Sequence, residues 1–127
     1  DEVQLFGGAM VCELPRSFAD MSALREVPDH QEVWADTVSD RSFIVEILER
    51  KSVPDDQAVA FFLSDLAAFN DASSSSVLSS GQAELQGLPS DARCLCGLGE
   101  QTVAKFGESC SNRIHLHICA IRLPEQE

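Results

Sequence analysis

The clearest alternation in the chain lies near its end, where Ile114, Leu116, Ile118 and Ala120 interleave with His115, His117, Cys119 and Ile121. A period of two puts the first set on one side, so residues 112–123 are predicted as a strand that shows one face to a core. Phe43, Val45 and Ile47 alternate in the same way, and residues 31–36 and 42–49 are predicted as an antiparallel pair, with Ser39 and Asp40 in the turn. Residues 77–86 and 93–106 complete the strands, and residues 107–111 form the tight connection to the last one. Near the start, Gly7 and Gly8 precede an apolar stretch, 10–14, that stops at Pro15, the pattern of a short strand interrupted by a bend.

Elsewhere the period is helical. Val59, Phe62, Leu63, Leu66 and Phe69 fall on one stripe behind Pro54, Asp55 and Asp56, a proline-led acidic first turn. Asp20 and Ser22 are capping residues for a second helix of one or two turns, which Pro28 stops. The six serines at 73–76, 79 and 80 read as a loop or an irregular strand entry. A helix cannot bury its stripe alone and a patterned sheet needs a cover, so the expected fold is α+β, a layered sandwich of mainly antiparallel sheet and helix.

Length and charge narrow the function. With 127 residues, one domain spanning 1–127 can bury a core without disulfides or metal. The longest apolar run, 58–63, is far too short to cross a bilayer, and no basic region followed by an apolar stretch opens the sequence, so no secretory signal is expected there. The net charge is −12, which opposes binding to nucleic acid or anionic lipid. Residues 1–50 hold 11 acidic and 4 basic side chains, so a basic protein partner would be steered mainly to that part; plain solubility is the blander reading of the same charge.

Five cysteines, Cys12, Cys94, Cys96, Cys110 and Cys119, follow no framework spacing, which suits a reducing compartment. Cys94 and Cys96 share a strand face, as do His115 and His117, and such pairs are zinc-ligand types. Pairing residues whose numbers sum to about 216 places His115 near Gln101 and Cys96 near Ala120, which separates the two pairs. No metal or other cofactor is therefore expected, and no carboxylate is evidently poised to orient either histidine. A thiol hydrolase using Cys110 or Cys96 is weakened by the same separation. Gly97 and Gly99 lack the lysine and helix of a phosphate loop and are read as turn residues.

Three segments carry a family resemblance: residues 5–9 (LFGGA), 13–18 (ELPRSF) and 20–34 (DMSALREVPDHQEVW). Together they resemble the Ran guanine-nucleotide release factors, the MOG family, whose hallmark is a Gly-Gly-containing first strand, an LP turn and a VPD-x-QEV segment, here at 27–33. Residues 42–49 (SFIVEILE), 99–106 (GEQTVAKF) and 115–124 (HLHICAIRLP) look like later strands of that family. The matches touch roughly half of the chain in the family's order.

The resemblance implies a sheet flanked by helices similar to the photosystem protein PsbP, and a monomeric nuclear and cytoplasmic protein that binds the GTPase Ran and promotes loss of its nucleotide in support of nuclear import. It implies no catalytic residue. Asp29 and Glu32 match the acidic Ran contacts of the family, and Gln31, Asp20, Arg25 and Trp34 are carried over from the same motif, Trp34 standing where the family has Phe. Residues 71–93 match only loosely, and a C-terminal segment usual in the family is expected to be lacking. Physically, Pro28 favours an extended predecessor, so Asp29 and Glu32 are presented just before a strand, where carboxylates can meet Lys or Arg. Read without the family, Asp29 caps a turn and Glu32 is a solvated edge charge. A second reading keeps the fold as an adaptor in membrane-protein trafficking, with Ran incidental.

Overall fold

The computed structural model describes residues 1–104 and 111–124. It is α+β with antiparallel pairing throughout, as expected, and its chain contacts divide it into two compact units, Asp1–Glu49 and Arg50–Glu127.

The first unit opens with strands β1 (Glu2–Leu5) and β2 (Met10–Glu13), which pair from Glu2 with Glu13 to Leu5 with Met10. The bend expected inside one strand is therefore the turn of a hairpin. Phe6, Gly7 and Gly8 have φ of 52°, 68° and 99°, a left-handed path that glycine follows without cost and that phenylalanine rarely takes. A short strand β3 (Phe18–Asp20), not expected from the pattern, pairs with β4 (Gln31–Asp36), which pairs on its other side with β5 (Ser42–Glu46). Between β3 and β4 the second expected helix is a single 3₁₀ turn, Met21–Ala23, capped as expected by Asp20, whose Oδ1 accepts from Ser22 N at 2.9 Å.

In the second unit a 3₁₀ turn, Asp55–Gln57, leads into α1 (Ala58–Phe69). Val59 and Leu63 of the expected stripe are buried and Phe62 and Leu66 half-buried, but Phe69, the last residue of the helix, is 88% exposed. Strands β6 (Ser74–Ala83), β7 (Arg93–Ala104) and β8 (Ser111–Arg122) form one sheet in that order. Of the two readings of the serines, the irregular strand entry holds: β6 starts at Ser74, three residues earlier than expected, with a register irregularity between Val77 and Ser79. The expected connection at 107–111 falls mostly on residues 105–110, outside the described residues.

Gly97 and Gly99 are not turn residues. They lie in mid-strand under α1: a Cβ on Gly97 would overlap the Val59 side chain and come 3.1 Å from Ser79 O, and one on Gly99 would come 2.6 Å from Leu63 Cδ1. Missing side chains here let helix and sheet approach closely. Ala58, Val59 and Leu95 form the core beneath, with Val53, Phe62 and Ala120 against it. Gln101 is wholly buried and donates from Nε2 to Leu63 O at 2.9 Å. Arg122, nearly buried, donates to Val53 O at 2.7 Å, Lys51 O at 2.6 Å and Asp55 Oδ1 at 2.9 Å, which ties the approach to α1 onto β8.

The β7–β8 register differs by one residue from that expected. Cys96 lies opposite Cys119, not Ala120, and His115 lies opposite Glu100, not Gln101. Because alternate residues face opposite ways, that single step moves Cys119 onto the face of Cys94 and Cys96. It also sets a carboxylate beside His115, where none was evident from the sequence, with Glu100 Oε2 3.2 Å from Nε2. Ile114, Leu116, Ile118 and Ala120 are half-buried while His115, His117, Cys119 and Ile121 are exposed, as the alternation predicts.

Candidate functional site

Pro28 begins a tight turn that Gln31 N closes on Pro28 O at 3.0 Å, leaving Asp29 exposed at its tip. A proline before the turn limits its predecessor to extended geometry, and Asp29 and His30 complete the reversal into β4. Two residues on, Glu32 is half-buried. Its Oε2 accepts from Phe6 N at 3.4 Å and its Oε1 from Trp34 Nε1 at 3.3 Å. Glu32 thus braces the left-handed Phe6 corner of the β1–β2 hairpin, and Trp34, on the same face of β4, holds the carboxylate in place.

These elements enclose an open cleft of about 410 Å³ lined by Asp20, Asp29, Gln31 and Glu32 together with Phe6, Ser22, Val27, Pro28 and Val33. The structure therefore brings four of the six sequence-predicted residues to one surface. Trp34 is absent from the lining and acts on it through Glu32; it also lies across from Asp20 on β3 and Phe43 on β5. Arg25 is exposed, its backbone N donating to Met21 O at 3.0 Å just past the 3₁₀ turn that Leu24 N closes, and its side chain is not in the lining. Phe6 and Ser22 were not among the expected site residues. The LFGGA string held the signal for Phe6, while Ser22 enters because Asp20 binds its backbone N.

Three carboxylates line the cleft and no basic side chain does. Such a surface favours an incoming Lys or Arg, which can form charge-assisted hydrogen bonds with carboxylate oxygens. Asp29 is the freer of the two motif acids, whereas Glu32 also carries structural bonds. Both remain reachable, so neither is sealed beneath backbone. Nothing in the lining is a nucleophile paired with a base, and the thiol-hydrolase idea gains no support: Cys96 is grouped with two other thiols, and Cys110 lies outside the described residues. No helix among the described residues is long and apolar enough to cross a membrane.

The family profile described as Ran-interacting Mog1 protein matches residues 3–127. The chain belongs to the Mog1 family. A zebrafish (Danio rerio) relative named Ran guanine nucleotide release factor is 37% identical over 128 residues, covering 95% of this chain and 69% of the relative. A fission-yeast (Schizosaccharomyces pombe) relative named nuclear import protein mog1 is 37% identical over 94 residues, covering 70% of this chain and 50% of the relative. The crystal structure of the Saccharomyces cerevisiae Ran-binding protein Mog1p superimposes with a TM-score of 0.75 at 30% identity, covering 97% of this chain and 69% of that one. The fold expected from the motif strings is thus the fold of a Mog1 protein.

Proposed function

We propose that this Mog1-family chain binds the GTPase Ran, promotes release of its guanine nucleotide and so supports nuclear protein import, working in nucleus and cytoplasm. The observation that carries the reading is the convergence of Asp20, Asp29 and Glu32 on one open cleft whose lining holds no basic side chain. Family membership and the relatives' names as Ran release factors and nuclear import proteins support the partner. The family match runs through both compact units, which supports treating residues 1–127 as one Ran-binding domain.

Asp29 makes the leading contact with a Lys or Arg of Ran. Glu32 and Gln31 continue the contact along the cleft wall, with Asp20 opposite. Trp34 orients Glu32, and Arg25 lies at the margin. The chain acts as a monomer and by binding alone: if it holds nucleotide-free Ran more tightly than loaded Ran, linkage lowers the nucleotide's affinity by the same factor. No acid, base or cofactor is needed for that.

The test follows a fluorescent guanine nucleotide leaving loaded Ran, with and without this protein. Release should accelerate with the wild-type chain. It should not accelerate with Asp29→Arg, an exposed turn-tip substitution expected to change stability by less than about 0.5 kcal/mol. Unaltered release with no measurable complex rejects the proposal, as does full activity of the folded charge-reversal variant.

A further inference from the structure

One cluster of chemistry-bearing side chains stands outside the acidic cleft. Cys94 and Cys96 are alternate residues of β7, and Cys119 of β8 lies directly opposite Cys96. All three sulfurs therefore gather on the sheet face turned away from the one on which Gly97 and Gly99 meet α1. Their Sγ atoms are 2.8 Å (Cys94 to Cys119), 3.5 Å (Cys96 to Cys119) and 3.7 Å (Cys94 to Cys96) apart. Among the described residues this is the group able to offer a metal ion three ligand atoms within 4.8 Å of one another, and it contains no histidine or carboxylate.

We propose that these three cysteines form a binding site for a soft, thiophilic cation of the Cu(I) class. Ligand type comes first in the argument: an all-sulfur set selects Cu(I) or Zn(II) over Mg(II), Ca(II) or Mn(II). Ligand number then favours Cu(I), because structural Zn(II) sites are almost always closed by four protein ligands and a three-ligand Zn(II) site must add a water, whereas Cu(I) is satisfied by three sulfurs in a plane. Size fits as well. With metal–sulfur bonds of about 2.3 Å, three sulfurs around one ion sit about 4 Å apart, and two of the observed separations are already close to that. The third opens by rotation of Cys119 about χ1, which its exposed position permits. The site is built on two paired strands, and strands hold ligand geometry better than loops do. Binding exchanges thiol protons for metal–sulfur bonds, one proton leaving to solvent for each sulfur engaged, and no electron is transferred. Cys119 belongs to the group only because of the observed strand register.

The fully reduced chain, titrated anaerobically with Cu(I) held by a chromophoric competitor such as bicinchoninate, reads the site directly. The wild type should withdraw one equivalent, with X-ray absorption reporting three sulfur neighbours. A Cys12→Ser/Cys110→Ser variant, which keeps all three sulfurs, should withdraw the same. Cys119→Ser, a substitution at an exposed position, should lose the one-to-one complex. No withdrawal by the wild type overturns the proposal, as does an equivalent that survives Cys119→Ser or vanishes in the Cys12/Cys110 variant. A parallel Zn(II) titration that shows a tight site where Cu(I) shows none overturns the trigonal assignment. None of these outcomes depends on Ran.

Discussion

Asp36 shows how one carboxylate can hold a corner of the fold. It closes β4, is buried, and accepts from Ser39 Oγ at 2.6 Å, Arg41 Nη2 at 2.9 Å and Val38 N at 3.2 Å. The Ser39 hydroxyl first, then the Ser17 hydroxyl, and after them Arg41 and Val38 N, hold its carboxyl well below the usual carboxylate range. A depressed folded value means that the stabilisation is complete above the unfolded value of about 3.9. Below that, the unfolded chain takes up a proton that the folded one resists, and the contribution drains away as the pH falls toward the folded value. The urea midpoint should therefore drop between about pH 5 and about pH 2. Asp36→Asn should begin lower at neutral pH and lose less over that interval; parallel acid profiles for the two proteins would remove Asp36 from the account. Glu32 is the contrasting case, because its bonds to Phe6 N and Trp34 Nε1 serve the shape of the cleft as much as its charge.

At the level of elements, the sheet of the second unit depends on what β7 omits. Gly97 lies beneath Val59 and beside the backbone oxygen of Ser79, neither of which can move away easily, since Val59 is buried and β-branched and the oxygen belongs to β6. Gly97→Ala should cost about 1–3 kcal/mol through overpacking. Gly81→Ala on β6, where an added Cβ meets nothing within 4 Å, should be neutral or slightly stabilising by restricting the unfolded chain. Denaturant unfolding of the pair measures the difference, and equal midpoints would mean that α1 does not press on the sheet at Gly97. This closeness was hidden in the sequence, where a glycine pair suggested a turn. The start of strand β6 before Val77 was not legible, because a period-two signal requires one buried face and every residue of β6 is exposed. The β7–β8 register was missed by one residue for a related reason: alternation says which residues share a face of one strand, but only the pairing aligns two strands. By contrast α1 was legible as a helix, although Phe69 of its expected stripe is exposed and Ala58 off that stripe is buried, and β8 was legible from its clearly sided alternation. The acidic turn was legible from its motif, whereas the membership of Phe6 depended on a left-handed backbone that the two glycines only hinted at.

For the whole molecule, the decisive quantity is the field of a chain with net charge −12, of which residues 1–50 carry 11 acidic against 4 basic side chains. The same residues contain the cleft, so the long-range field and the short-range contacts draw a basic partner to one segment of sequence. Fields of this kind accelerate encounter more than they hold the finished complex, because the Debye length shrinks to about 8 Å near physiological salt while contacts inside a desolvated interface are screened much less. Raising NaCl from about 50 mM to about 500 mM should lower the association rate with Ran by roughly tenfold or more and leave dissociation comparatively unchanged. Asp29→Arg should flatten that dependence as well as weaken the complex, since it removes one negative charge and adds a positive one at the turn tip. Stopped-flow measurements at several salt concentrations separate the two rates. An association rate indifferent to salt would mean that the acidic excess serves solubility alone, the blander reading of this composition, and that the cleft must recruit its partner by shape.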